Sequence, residues 1–159
     1  MKTRIQILVF AAVMMLATSC GVYKAPSYAD PKPTIIGSEL DGSYIIKCQA
    51  KGRNAAEALT EVRKRATYEV VFHGVQSATS SVQSIHPIIT EVNAKEKYAE
   101  WSNAFFADGG EYLNYSSKRD RRSGSSKFYR NNEQITCEGI VRVDAAGIKA
   151  LLKENGILK

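Results

Sequence analysis

Few residues in this 159-residue chain are of types that do chemistry: Cys20, Cys48 and Cys137, and two histidines, His73 and His86. Neither histidine stands in an H-x-x-x-H or H-E-x-x-H spacing, so the pattern that puts two metal-binding imidazoles on one helix face is missing. His73 precedes a glycine at the end of a helical pattern, where a cation complements the helix dipole. His86 precedes Pro87 and reads as an exposed loop side chain. Cys48 or Cys137 beside a histidine could form a nucleophile–base pair. Both cysteines, however, occupy the inward positions of alternating strand patterns, where a thiol is inert. Asp108, Glu111 and Glu138 have no spacing that would pair two carboxylates for acid–base work. The run "RRSGSSK" lacks the strand–helix setting of a phosphate loop. The expectation is a protein that is not an enzyme, with no cofactor, no metal and no small-molecule substrate.

Cys20 belongs to a different pattern. Lys2 and Arg4 precede an uninterrupted apolar run over residues 7–17, then Thr18, Ser19 and Cys20. A basic start, an apolar run of about 7–15 residues and a small-residue junction make a secretory leader. The run is shorter than the roughly 20 residues a membrane-spanning helix needs. Leu16-Ala17-Thr18-Ser19-Cys20 resembles a bacterial lipobox, with leucine one position earlier than usual. The resemblance implies cleavage before Cys20 and acylation of that residue. Each buried CH2 adds about 0.8 kcal/mol, and more than one chain holds stably. Gly21 and Val22 follow, so neither an inner-membrane retention aspartate nor an acidic export run is present. By the same resemblance, this implies the periplasmic face of the outer membrane. The expected organisation is a leader at 1–19, a lipidated tether at 20–33 rich in proline, and one domain at 34–159. The tether, in part polyproline II, could hold the domain some 40 Å from the bilayer at roughly 3 Å per residue.

Charge is concentrated. The chain carries +6, falling to +4 without Lys2 and Arg4. Lys118, Arg119, Arg121, Arg122, Lys127 and Arg130 interleave with Phe128, Tyr129 and the single acid Asp120, so this short segment carries +5. The flanks "EYLNYSSK" and "SSKFYR" suggest two strands joined by a basic hairpin turn. Behind a leader, such a turn suits lipopolysaccharide, an anionic lipid or an acidic partner better than nucleic acid. The competing reading is a solvated turn whose charges discourage edge-to-edge strand pairing. Cys48 and Cys137 could form a disulfide in an oxidising compartment. The alternative is two buried free thiols. They can meet only if the first and last strands are neighbours.

The remaining pattern positions these residues. Asp41-Gly42 between apolar runs signals a tight turn. Tyr44, Ile46, Cys48 and Ala50 then alternate as a half-buried strand. Asn54 with Glu57 three residues on marks a helix start, and Leu59, Val62, Ala66 and Val70 recur at helical spacing. Arg63, Lys64 and Arg65 fall across its other side, and Gly74 ends it. Residues 75–92 hold Val82, Ile85, Ile88, Ile89 and Val92, which want burial. A second helix is expected from Asn93, with Tyr98, Trp101 and Phe105 as its apolar stripe. A last strand follows, with Ile135, Cys137, Val141 and Val143 on one face, and then a helix capped by Asp144. Strands this close together cannot cross over in parallel. The expected fold class is therefore α+β, a two-layer sandwich of a largely antiparallel sheet with helices packed on one face.

"DGSYIIKCQAKGRNAAEALTEVRKRATYEVVFHG", residues 41–74, resembles the core of small bacterial envelope lipoproteins of the LPP20 and flagellar assembly protein T N-terminal domain type. The resemblance implies an α+β fold and a non-enzymatic envelope-anchored assembly or scaffold role, and it carries no catalytic motif. Residues 91–115 also resemble part of an uncharacterised lipoprotein family. The expected partners are the membrane, through the N-terminal lipid, and an envelope protein.

Overall fold

The computed structural model describes residues 31–118, 126–131 and 134–158. The leader, Cys20, the tether up to residue 30, and Arg119, Arg121 and Arg122 lie outside the described residues.

Strands β1 (Thr34–Ser38) and β2 (Tyr44–Gly52) pair antiparallel, with Ile35 opposite Ile46. Their turn depends on Gly42, at φ +84°, a left-handed conformation open to a residue without a side chain. Asp41 Oδ1 accepts the Ser43 amide at 2.9 Å. Helix α1 (Ala55–Phe72) starts as its sequence foretells, with Asn54 Oδ1 accepting the Glu57 amide at 2.9 Å. The Glu57 carboxylate reaches back to the Arg53 amide at 3.0 Å, one residue before the position a capping box would use. Ala58, Val62, Ala66 and Val70 are wholly buried. At the other end Gly74, at φ +74°, donates its amide to Glu69 O at 2.7 Å, which closes the last turn.

Residues 75–92 cross the molecule as an ordered segment. Strand β3 (Gln76–Ser77) runs parallel to β1, and Val75 bridges Ile85. The Ile88 and Ile89 amides donate to Val70 and Val71 carbonyls at 3.1 and 3.0 Å. Both isoleucines are buried and Val82 and Ile85 partly so, but Val92 is 87% exposed, against expectation. It directly precedes Asn93, whose positive φ of 56° turns the chain before any helix begins. The expected second helix is two short ones, α2 (Ala94–Lys97) and α3 (Ala99–Phe105), divided at Tyr98. Asn93 makes no side-chain cap. A 3-10 turn (Glu111–Leu113) leads into β4 (Ser116–Lys118), and β5 (Ser126–Asn131), β6 (Gln134–Val143) and α4 (Ala145–Glu154) complete the chain. Asp144 Oδ1 caps α4 through the Gly147 amide at 2.9 Å.

The sheet order is β3-β1-β2-β6-β4, with β5 also paired to β6. Every pairing except β1 with β3 is antiparallel. The fold is α+β. One core joins Ile46, Cys48, Cys137, Val141 and Val143 of the sheet to α1, to Ile148 and Leu152 of α4, and to Phe105, Phe106 and Tyr112.

One expectation about the basic segment is corrected. Strands β4 and β5 do not pair with each other as a hairpin. Both run antiparallel to β6, Ser116–Lys118 opposite Val143 to Val141 and Ser126–Asn131 opposite Gly139 to Gln134. Both lie against β6 on the edge opposite β2. The hairpin partner of β5 is β6. Phe128 lies opposite Cys137 and packs against the core, which fixes that register.

Candidate functional site

Opposed residues in an antiparallel pair share a face of the sheet. Lys118 opposite Val141 and Arg130 opposite Ile135 therefore lie on the helix-covered side. Lys127, opposite Glu138, lies on the other side. Lys118 and Arg130 are also separated by six positions of β6, about 20 Å at the usual rise. The described members of the basic segment do not converge on one point.

The sheet puts Cys48 and Cys137 on neighbouring strands and one face, as a bridge would require, but two positions out of step. Cys48 faces Gly139, and Cys137 faces Ala50. Such diagonal neighbours lie about 7–8 Å apart between Cα atoms, whereas a disulfide wants roughly 4.4–6.8 Å. The considered bridge is not formed: both are free, buried thiols. Burial pushes Cys48 up to about 12 and Cys137 up to about 11. Neither is a thiolate near neutral pH, and neither is poised as a nucleophile.

The basic trio of α1, which falls across its other side, is tied to the rest of the domain. Arg63 donates to the Leu113 carbonyl at 2.8 Å and also to Ser116 O, so it ties the 113–116 turn to the helix. Arg65 donates to Gln49 O at 2.6 Å and to Pro31 O at 3.4 Å, so contact with the domain begins ahead of residue 34. Lys64 pairs with Asp108 at 3.1 Å. The face of α1 that carries Lys64 and Arg65 also forms one wall of a cleft of about 600 Å³. Ala50 and Lys51 of β2, Glu61, Lys64, Arg65 and Tyr68 of α1, Lys95 of α2 and Ser102, Asn103 and Phe106 at α3 line it. Phe106 meets Tyr68 edge to face at 5.5 Å between ring centroids, and Lys95 Nζ stands 5.5 Å from the Tyr68 centroid. Four cations and one carboxylate thus surround an aromatic floor, within the volume range of small-molecule sites.

Further along α1, a second groove of about 770 Å³ takes in Arg65, Glu69 and His73, and brings in His86 from the crossing segment. The two histidines, unrelated by sequence spacing, share this one groove. His73 Nδ1 lies 3.0 Å from Glu69 Oε2, a contact that fastens it to its own helix. Among the described residues no three His, Cys, Asp or Glu side chains gather as metal ligands would. Asp108 meets only Lys64 in a described ion pair, and Glu138 pairs with Lys47 at 3.3 Å on the far side of the sheet. Glu111 stands exposed in the 3-10 turn.

Sequence spacing alone missed the cleft. Its α1 wall is legible as the row Glu61, Lys64, Arg65 and Tyr68 at helical intervals. Its other wall is not, because the break at Tyr98 decides where Lys95 and Phe106 stand. No described helix is long and apolar enough to cross a membrane. Comparison of the chain with family models, with curated proteins and with solved structures finds no match in any of the three.

Proposed function

We propose that this chain is a non-enzymatic, lipid-anchored protein of the bacterial outer membrane, whose single domain serves as an interaction or assembly module in the cell envelope. The junction Leu16-Ala17-Thr18-Ser19-Cys20 behind an apolar run carries the proposal. The likeness of residues 41–74 to small envelope lipoproteins supports the assembly role. In this reading Cys20 becomes the acylated N-terminus, and the proline-rich segment after it holds the domain away from the bilayer. Metabolic labelling with an alkyne palmitate tests it. The chain should take up label and sediment with outer membranes, and Cys20→Ser should lose both. Equal labelling of the variant, or an unlabelled soluble parent chain, defeats the proposal.

A second reading is a binding module for an anionic envelope ligand through residues 118–130. One observation favours it. Lys118 faces Val141 and Ser126 faces Gly139, so the described residues on either side of 119–125 stand against β6 positions separated only by Ile140. Replacing Arg119, Arg121 and Arg122 by serine should weaken binding to lipopolysaccharide about tenfold or more at low salt and flatten its salt dependence. Unchanged binding removes this reading.

A further inference from the structure

The cleft between α1 and α2–α3 has the chemistry of a small-ligand site in its own right, apart from residues 118–130. The cations that would hold a ligand there come from two separate elements: Lys64 and Arg65 on α1, and Lys95 on α2. Arg65 spends its hydrogen bonds on two carbonyls, which leave its charge uncompensated. The carboxylate that pairs with Lys64 is 96% exposed, so water and salt screen it heavily. The cleft therefore favours an anion. An inorganic ion would make no use of the floor, where half-buried Tyr68 presents ring surface and the buried Phe106 backs it. Lys95 reaches that floor from an exposed position, so its ammonium can turn toward an anion that arrives there. Glu61 and Asn103 add acceptors and a donor around the same space, suited to hydroxyl groups.

We propose that this cleft binds a phosphorylated sugar. The phosphate is held by Lys64, Arg65 and Lys95, the ring lies against Tyr68, and its hydroxyls meet Glu61 and Asn103. A charged phosphate contact is directional and strong, while the ring contact supplies the apolar part of the binding. The same chemistry occurs in a free sugar phosphate and in the head group of lipid A.

The single tryptophan, Trp101, sits 6.5 Å from Phe106 and reports on the cleft by its fluorescence. The full chain in detergent is titrated with N-acetylglucosamine 1-phosphate, N-acetylglucosamine, inorganic phosphate, adenosine monophosphate and, separately, dispersed lipid A. The expected result is saturable binding of the phosphosugar or of lipid A, at least tenfold tighter than the unphosphorylated sugar, phosphate or the nucleotide. Raising salt should weaken it. Lys95→Glu, at an exposed position, should cost at least tenfold with the melting temperature unchanged. Preference for the free sugar marks a soluble ligand, and preference for lipid A marks a lipid head group; either supports the site. No saturable binding, equal binding of inorganic phosphate, tighter binding of the nucleotide, or indifference to Lys95→Glu overturns it. The proposal needs no lipid on Cys20, so a failed palmitate labelling leaves it standing and a failed titration leaves the anchor untouched.

Discussion

Cys48 and Cys137 show how burial decides the fate of a reactive group. Each thiol sits in the core without an anionic form to offer at neutral pH. We expect Cys48 and Cys137 of the native chain to resist iodoacetamide at pH 8 and both to react once the chain is unfolded in guanidinium. Intact mass should not change by two daltons on reduction. A raised thiol pKa also sets a sign for stability. The folded chain keeps both groups protonated, so their contribution is full below the unfolded thiol value of about 8.5 and is lost as pH climbs through 11 to 12. Urea melts at pH 7 and pH 10 should show the loss, and Cys48→Ala should reduce the difference between them. Inward pointing was legible from alternation at 46, 48 and 50 and at 137, 141 and 143. The two-position offset was not, since register depends on how β2 and β6 meet across about ninety residues of chain.

At the scale of elements, the packing of α1 on β2 rests on one small residue. A Cβ on Gly52 would stand 2.8 Å from Ala58 Cα and 2.9 Å from Glu57 C, both backbone atoms that cannot turn aside. Gly52→Ala should cost about 1–3 kcal/mol, read as a lower urea midpoint at constant slope. Most helix ends were readable because their caps are local: Asn54, Gly74 and Asp144 act within a few residues of themselves. The basic hairpin and the single helix from Asn93 were misread for a shared reason. Each depended on a competition that local pattern does not contain. Strand β5 could pair with β4 or with β6, and the burial of Phe128 opposite Cys137 favours β6. The helix could continue through Tyr98 or break there. The break leaves Phe105 and Phe106 buried and Trp101 stacked on Phe105 at 4.8 Å.

For the whole molecule, a single core should mean a single transition. Leu152 of α4 is wholly buried in the same cluster as Val62 of α1 and Val141 of β6. Leu152→Ala should lower stability by about 2–5 kcal/mol while helix and tryptophan signals still melt together. Separate melting of the C-terminal helix would show that α4 is an appendage. The α+β class was readable from the order of patterns, because closely spaced strands leave no room for crossovers. The candidate cleft was half readable: its helix wall follows from spacing, and its second wall follows only from the folded path of 94–106.

Strand β6 has a consequence in time as well as in space. It pairs with β2, β4 and β5, yet it spans 134–143 of a 159-residue chain. The sheet cannot close around its middle until residues 134–143 have left the ribosome. Pairings across such long separations also form slowly. Until then β2 lacks its neighbour β6. A polypeptide proposed to pass through a narrow translocation channel presents, in β6, a strand that can join β2 only after residues 34–133 have emerged.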